Sequence, residues 1–280
     1  MLLLPKPKLK LNIDEKYFQV YISDHEIVFS ESREKMIKSV KKALDILTIL
    51  SDSGEAPISL SELAEKTSLN KSTCAHIVDT MCEELYVERV SRKEGYRLGP
   101  WSYMLSRYGS YYNSLSKLAY PILKWLHKQL DTAVFLSVVC NGRKYIIIHI
   151  DPENILPMSY GSIIQGNLET TATGRVLMAF MDPETLHYTL AKRVNESKKK
   201  IMTPELEAEL KRIRMRGYSH CSIPADKHQS YAFKVMDGEK NIASLGILYS
   251  DLKDSAEYRE KVIKSGKIAA AEISRRKVFE

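Results

Sequence analysis

The sequence has little cysteine and no long hydrophobic run. Its four cysteines are Cys74, Cys82, Cys140 and Cys221, and no two form a C-x-x-C pair. This spacing argues against a disulfide framework and against a structural zinc site, and it suits a reducing cytoplasm. The apolar start at Met1 is broken by Pro5, too early for the core of a signal peptide. Since no run is long enough to span a membrane, the sequence predicts a cytoplasmic protein.

The motifs of common enzyme classes are also missing. The chain has no G-x-S-x-G, no P-loop, no H-E-x-x-H and no dinucleotide-binding fingerprint. His220, Cys221, Asp226 and His228 lie close together in the sequence, but their spacing matches no common zinc pattern. The sequence therefore predicts neither an enzyme nor a bound metal or cofactor.

Bulk charge does not by itself indicate a nucleic-acid partner. The 280 residues carry a net charge of +7, but positions 39–99 hold eight Lys and Arg against ten Asp and Glu. A DNA-binding function must therefore depend on where the cations stand, since phosphate contacts are local. The length is sufficient for two domains, each with its own core.

Residues 59–97 have the pattern of two short helices followed by a β-hairpin. Ser59, with Glu62 three residues later, has the spacing of a capping box at the first helix. The second helix is predicted to begin at Asn70, and its first turn offers small, polar and basic side chains that suit insertion into the major groove. Its predicted buried face is Thr73, Ile77, Val78, Met81 and Leu85. A hairpin with its tip at 91–95 completes a winged helix-turn-helix pattern.

The second half of the chain alternates β-rich runs with helical segments. Asn141-Gly142 between two β-branched runs is a strong hairpin signal. Helices are predicted from Thr173, after Asp182 and after Thr203, and a last one over 254–277. Strands are predicted at 218–223, 231–236 and 242–249. Strands clustered in hairpins with helices around them indicate an antiparallel sheet and hence an α+β fold.

Three segments, SVKKALDILTIL, ISLSELAEKTSLNKST and EELYVERVSRKEGYRLGP, resemble the DNA-binding domain of the IclR family of bacterial transcription regulators. LETTATGRVLMAF resembles the first helix of that family's effector domain. The resemblance implies an N-terminal winged helix-turn-helix domain, a linker helix and a C-terminal GAF-like antiparallel sheet with flanking helices. The boundaries are an extension at 1–38, the DNA-binding domain at 39–99, the linker helix at 100–115, and an effector-binding and oligomerisation domain at 116–280.

The resemblance also implies which residues contact DNA. Lys71, Ser72 and Thr73 match the family's P-K-S-T, with Asn70 in place of Pro, and Asn is a good N-cap. His76 stands where the family often has Arg, so a different base preference is expected. The predicted DNA-binding residues are Ser61, Lys71, Ser72, Thr73, His76, Arg92, Lys93 and Arg97.

An effector pocket is implied in the second domain. Backbone amides at the helix start near Thr171 could hold a carboxylate. Gly246 and Leu248 stand where the family has two Ser, which removes hydroxyls that bind a small organic acid. The ligand is therefore more apolar, or the domain no longer senses one. The predicted effector-binding residues are Thr171, Ala172, Thr173, Gly174, Cys221, Ser230, Gly246 and Leu248.

The sequence thus predicts a sequence-specific transcription regulator, a repressor in most such families. It would be a homodimer or tetramer that reads a near-palindromic operator in duplex DNA and responds to a small molecule. The alternative is a ligand-sensing α+β protein whose helix-turn-helix docks onto protein, which the weak local charge supports. Residues 1–38 are either a loosely docked extension or an arm that touches DNA or a partner subunit.

Overall fold

The structure is a computed structural model. It describes residues 20–23, 26–29, 37–91, 93–107, 111–140, 142–151, 164–165, 167–197, 202–223 and 227–276. These residues fall into two compact units, one on each side of the junction between Gly99 and Pro100. Among the described helices, none combines the length and the apolarity that a membrane crossing requires.

The first unit contains a small hairpin, three helices and a second hairpin. Its elements are β1 Val20–Ser23, β2 Glu26–Phe29, α1 Lys38–Asp52, α2 Leu60–Lys66, α3 Lys71–Glu83, β3 Val87–Ser91 and β4 Gly95–Leu98. Strands β1 and β2, which lie within the predicted extension at 1–38, pair antiparallel. The two residues between them, Asp24 and His25, lie outside the described residues.

The helices of the first unit pack around a core to which the second hairpin is tied. Ile46, Leu50 and Leu63 are completely buried within it. The backbone of Ile58 exchanges two hydrogen bonds with that of Tyr96, at 2.8 and 2.9 Å. The predicted winged helix-turn-helix is therefore what the chain forms, with the wing held against the segment that precedes α2.

The buried face of α3 is predicted correctly in part. Val78 and Met81 are buried as predicted, whereas Thr73 is exposed and Leu85 is 55% exposed beyond the end of the helix; Cys74, which the prediction left out, is completely buried. Two neighbouring rows on α3 have helical spacing, and spacing alone does not say which row faces the core. Packing against α1 and α2 selects the row that contains Cys74 and Val78, which places Thr73 on the outer surface.

The second unit is a six-stranded antiparallel sheet with helices on both faces. Its elements are α4 Pro100–Arg107, α5 Tyr111–Leu130, β5 Ala133–Cys140, β6 Arg143–Ile150, β7 Ile164–Gln165, α6 Ala172–Ala179, α7 Pro183–Ser197, α8 Pro204–Arg216, β8 Tyr218–Ile223, β9 His228–Asp237, β10 Lys240–Ser250 and α9 Ala256–Arg275. The strand order is β7-β6-β5-β10-β9-β8, with each neighbouring pair antiparallel. The fold is α+β, as predicted.

The two faces of the sheet carry different side chains. Leu245, Ile247 and Tyr249 of β10 belong to the core formed with α5 and α9. The alternate positions Gly246 and Leu248 point to the other face, because successive side chains of a strand alternate. That second face packs against α6 and α8 and contains the candidate effector site.

Local signals in this unit place the helix ends well. Asp182 Oδ1 accepts a hydrogen bond from Thr185 N–H at 2.8 Å, and Thr203 Oγ1 accepts one from Leu206 N–H at 3.3 Å. Gly217 follows α8 in the left-handed region, with φ of 81°. The linker differs from its prediction: α4 ends at Arg107 and α5 begins at Tyr111, ahead of the predicted start at Ser116.

Candidate DNA-contacting surface and effector cavity

The N-terminal half of α3 presents a polar surface. Asn70 Oδ1 accepts a hydrogen bond from Thr73 N–H at 2.7 Å, which caps the helix and starts it at Lys71. Lys71, Ser72, Thr73 and His76 are all exposed. Because Ser72 and Thr73 lie four and three residues before His76, these three side chains share one face of α3. The cap therefore fixes which side chains a duplex would meet.

Helix α2 contributes one further predicted contact. Ser59 Oγ accepts a hydrogen bond from Glu62 N–H at 3.2 Å, as the capping pattern predicts, so α2 begins at Leu60. Ser61 then lies exposed in its first turn. Its hydroxyl is therefore free of the core and near the N-terminal end of the helix, where backbone N–H groups favour an anion.

Two of the three predicted wing residues belong to the described part of the chain, and both lie at the surface. Lys93 and Arg97 are exposed, but Arg97 Nε forms an ion pair with Glu88 on the opposite strand. Arg92 lies outside the described residues. The register of the hairpin, which places Glu88 opposite Arg97, explains the pair. The guanidinium of Arg97 must exchange a carboxylate for a phosphate if it is to contact DNA.

Arg89 is a residue that the sequence pattern did not single out. Its guanidinium lies 3.1 Å from Asp79 Oδ1 on α3, and its Nε donates to the Tyr96 hydroxyl at 3.1 Å. It therefore ties the wing to α3 and neutralises an acid on the exposed side of that helix. Only the pairing of Arg89 with Tyr96 across the hairpin could have suggested this role.

Ion pairs of this kind determine which cations of the first unit are left to contact a ligand. Four of its acids, Asp45, Glu62, Asp79 and Glu88, each pair with a cation of the same unit. Within the described part of the chain, neither Lys71 nor Lys93 has a carboxylate partner. These pairs remove acids and cations in equal number and leave the net excess of acids unchanged, but Lys71 on α3 and Lys93 on the wing remain available for phosphates.

A cavity of about 90 Å³ lies between the second face of the sheet and the start of α6. Its described lining residues are Phe135, Lys144, Ile146, Thr170, Thr171, Ala172, Thr173, Cys221, Ile223, Ser230 and Leu248. Six of the eight predicted effector-binding residues are among them. The sheet register and the α6 cap bring together positions that are far apart in the sequence.

Gly174 and Gly246, the other two predicted residues, do not line the cavity. A Cβ on Gly174 would lie 2.1 Å from the carbonyl oxygen of Leu168, so this glycine allows a close backbone approach. A Cβ on Gly246 would lie 2.3 Å from the ring of Phe135. The space that a side chain at position 246 would take is therefore filled by this aromatic ring, which is itself a wall of the cavity.

Lys144 is the residue of this site that sequence reasoning missed. It is 2% exposed, and its ammonium group donates hydrogen bonds to Thr173 Oγ1 at 2.9 Å and to Thr171 Oγ1 at 3.2 Å. Burial lowers the pKa of Lys144 to about 8, so it is still mainly charged at pH 7. The sequence feature that could have identified Lys144 is its position within the apolar run of β6.

The other polar groups of the cavity are neutral. Thr171 Oγ1 also accepts a hydrogen bond from Gly174 N–H at 3.2 Å, which caps α6. Burial raises the pKa of the Cys221 thiol, which keeps it protonated. Among the described lining residues, Lys144 is thus the sole charged side chain.

Comparison with known families and proteins agrees with this arrangement. Residues 39–91 match the model of the IclR helix-turn-helix domain, and residues 112–275 match the model of the bacterial transcriptional regulator IclR C-terminal domain. The HTH-type transcriptional regulator TtgV of Pseudomonas putida is 29% identical over 160 residues, which is 56% of this chain and 60% of that protein. The match thus spans less than two thirds of that relative's length.

Solved structures share the fold. The IclR protein of Thermotoga maritima superposes with a TM-score of 0.64 at 24% identity, covering 85% of this chain and 98% of that one. An IclR homolog from Microbacterium hydrocarbonoxydans, complexed with 4-hydroxybenzoate, gives a TM-score of 0.70 at 20% identity, covering 86% and 98%. At these identities the likeness concerns the fold.

Proposed function

This chain belongs to the IclR family of bacterial transcriptional regulators, and we propose that it binds duplex DNA through α3 and the wing and regulates transcription in response to a small molecule. The observation that carries the proposal is the capped, exposed polar face at the start of α3. Its lysine, Lys71, has no carboxylate partner among the described residues. This face meets the steric and electrostatic needs of the major groove.

The residues of this surface divide into two roles. Lys71 and Lys93 neutralise phosphates, and Ser61 donates to a phosphate from α2, so these contacts set affinity and its salt dependence. His76 contacts a base edge, where a neutral imidazole makes one hydrogen bond instead of the bidentate pair of an Arg. Ser72 and Thr73 flank it on the same face. Arg92 and Arg97 reach the backbone from the wing.

The first helix supports a homodimer. Val40 is 53% exposed and Leu44 is 57% exposed, although both belong to the apolar stripe of α1. Such residues are normally covered, and a symmetric partner would cover them. A dimer reads two half-sites about one DNA turn apart, hence a near-palindromic operator. Contacts between second units would join two such dimers into a tetramer.

The second unit supplies regulation. The homolog from Microbacterium hydrocarbonoxydans is complexed with 4-hydroxybenzoate, and we assign the cavity at α6 of this chain to a small effector. Binding there would change the population of the DNA-binding conformation by differential affinity.

The protein would act in the cytoplasm as a repressor, without a cofactor and without enzymatic activity. Residues 39–99 would form the DNA-binding domain, 100–115 the linker and 116–280 the effector domain, after an extension at 1–38.

The test compares two lysines of the first unit. Lys71→Ala should weaken binding to random duplex DNA and lower the slope of log Kd against log salt by about 1, because the variant neutralises one phosphate fewer. Lys66→Ala is the matched control, since Lys66 is also exposed but pairs with Glu62 at 2.9 Å. Fluorescence anisotropy over a range of salt concentrations measures both variants.

Two results would contradict the proposal. If the unmodified protein bound random duplex DNA without salt dependence, or not at all, the helix-turn-helix would serve protein docking instead. If Lys71→Ala and Lys66→Ala gave the same slope as the unmodified protein, α3 would not face the phosphates. Sequencing of genomic fragments retained by the protein would then give the operator and its symmetry.

A further inference from the structure

A larger cavity of the second unit lies between α9 and the point where β8 begins. Its volume is about 630 Å³. Phe233 of β9 contributes to its wall and also to the core beneath α9, so this cavity lies on the face of the sheet opposite the effector cavity. Among its described lining residues are Arg216, Lys234, Lys267 and Arg275, with no Asp or Glu. We call it the cationic cleft.

Two of these cations lie close to one aromatic ring. The guanidinium of Arg216 is 5.0 Å and the ammonium of Lys267 is 5.4 Å from the centre of the Tyr218 ring. Lys234, in contrast, directs its ammonium to the Phe180 ring, 4.4 Å away, on the other face of the sheet. Neighbouring like charges repel each other, and an anion between them would relieve the repulsion.

The carboxylates next to the cleft do not neutralise its arginines, because each is shared between two of them. The two triads are Arg212–Glu209–Arg216 on α8 and Arg275–Glu272–Arg276 at the end of α9, with N–O distances of 2.7 to 2.8 Å. Each triad therefore retains one positive charge. Lys267 adds another, because it has no carboxylate partner in the described part of the chain. Three uncompensated positive charges thus lie at the cleft and its rim.

The guanidinium of Arg216 is fixed in position and still has donors to offer. Its Nε donates to the carbonyl oxygen of Tyr218 at 2.7 Å, and its Nη2 donates to Glu209 at 2.7 Å. A guanidinium carries five N–H groups, so the other three have no acceptor among the described residues. A held guanidinium with free, coplanar N–H groups suits the oxygens of a phosphate.

Charge and size together favour a phosphate monoester. Such a group carries about −1.5 to −2 charges at pH 7 and three acceptor oxygens, which matches the cationic excess better than a single carboxylate does. The volume of about 630 Å³ lies within the range of small-molecule sites, so it leaves space for an organic group beside the phosphate. Met236, Ala270 and Ala271 provide apolar lining for that group.

We propose that the cationic cleft is a second ligand site, which binds a small organic phosphate monoester. The phosphate accepts hydrogen bonds from Arg216, Lys267 and Arg275, and the organic group lies against Ala270 and Ala271. The cleft shares no described lining residue with the effector cavity, and ligand binding there does not depend on the proposed function. The backbone of duplex DNA offers phosphates of similar chemistry, so the test must distinguish the two sources.

The test uses the full chain with AMP and phenyl phosphate as probes. Isothermal titration calorimetry gives Kd for the unmodified protein, for Lys267→Met and for the control Lys264→Met. Lys264 is an exposed lysine one turn earlier on α9, and it does not line the cleft. Loss of one charge-assisted hydrogen bond should weaken binding about 10-fold in Lys267→Met. Screening should limit the effect of Lys264→Met to less than about 3-fold.

Two further comparisons test the phosphate and the charge separately. Adenosine and phenol, which lack the phosphate, should bind at least about 10-fold more weakly than AMP and phenyl phosphate. Lys267→Arg keeps the charge and should retain binding. The proposal is overturned if no monoester binds, if the phosphate-free compounds bind as tightly, or if Lys267→Met and Lys264→Met weaken binding equally.

Fluorescence anisotropy with random duplex DNA identifies the source of the phosphate. Lys267→Met should leave the salt dependence of DNA binding unchanged, and Lys71→Ala should leave AMP binding unchanged. If Lys267→Met lowers the salt slope and no monoester binds, the cleft contacts the DNA backbone and the proposal fails. If monoesters bind through Lys267 but the protein does not bind DNA, the site is supported and the regulatory function fails.

Discussion

The two candidate binding regions hold their cations in opposite ways. On the wing and α3, Arg97 and Arg89 are exposed and paired with Glu88 and Asp79. In the cavity, Lys144 is buried and faces two hydroxyls. Exposed pairs contribute about 0–1 kcal/mol and exchange readily, whereas a buried charge without a counter-ion lowers stability. The paired cations of the first region are therefore free to exchange partners, while the second region holds a charge that no described lining residue compensates.

The largest expected effect is on stability at the cavity. Lys144→Met should raise the free energy of unfolding at pH 7 by on the order of 1–3 kcal/mol, because it removes a buried charge. The folded-state pKa of about 8 lies below the ordinary value of 10.5, so between these values the unfolded chain binds more protons and the unmodified protein gains stability as pH rises. The difference in free energy of unfolding between the variant and the unmodified protein should thus be constant below pH 8 and should decrease to zero as the pH approaches 10.5.

Urea unfolding followed by circular dichroism at several pH values measures this difference. Lys234→Met serves as the control, and its difference from the unmodified protein should not change across the same window. A Lys144→Met variant less stable than the unmodified protein at pH 7 would mean that the two threonine hydroxyls fully compensate the ammonium. The contrast between the two regions would then disappear.

An effect of similar size is expected at Gly246. Gly246→Ser introduces the residue that the resemblance predicts for the family, but its Cβ would lie 2.3 Å from the Phe135 ring. We expect a loss of about 1–3 kcal/mol in the free energy of unfolding, the usual cost of overpacking. Thermal unfolding of Gly246→Ser, Phe135→Ala and the double variant measures the coupling between the two positions.

In the double variant the serine gains the space that the ring leaves, so its loss should be smaller than the sum of the single losses. Additive losses would show that the ring does not occupy the space of the missing hydroxyl. The cavity would then differ from the family's for another reason.

The smallest effect concerns the wing. Glu88→Gln removes the partner of Arg97 and one negative charge, so it should tighten DNA binding and steepen its salt dependence, while unfolding changes by less than about 1 kcal/mol. Anisotropy with random duplex DNA and urea unfolding measure the two quantities. Glu62→Gln, which removes the partner of Lys66 on α2, is the matched control for the loss of charge alone. Equal effects of the two substitutions would place Arg97 away from the DNA.

The sequence predicted features whose causes are local. The Asn70, Asp182 and Thr203 caps and the wing hairpin appear where the spacing of residues places them. Each depends on a side chain and a backbone group three or four residues away, or on one tight turn. The cap at Asn70 sets where α3 begins, so the residues of its first turn were predictable, whereas the side of the helix that faces outward was not.

Features that depend on packing between distant segments were not predictable. The spacing on α3 predicted the burial of Val78 and Met81, but only contact with α1 and α2 buried Cys74 and left Thr73 exposed. Pairing Arg97 with Glu88 required the register of the wing, which spacing alone does not fix.

By itself, the sequence determined the winged helix-turn-helix and the α+β class. Only the tertiary structure decided that Gly246 makes room for Phe135 and that the ammonium of Lys144 meets threonines 27 and 29 residues away. The physical reason is the separation along the chain of the residues that interact. Caps and turns are set by neighbours along the chain, whereas the charge and volume of a cavity depend on which strands and helices pack together.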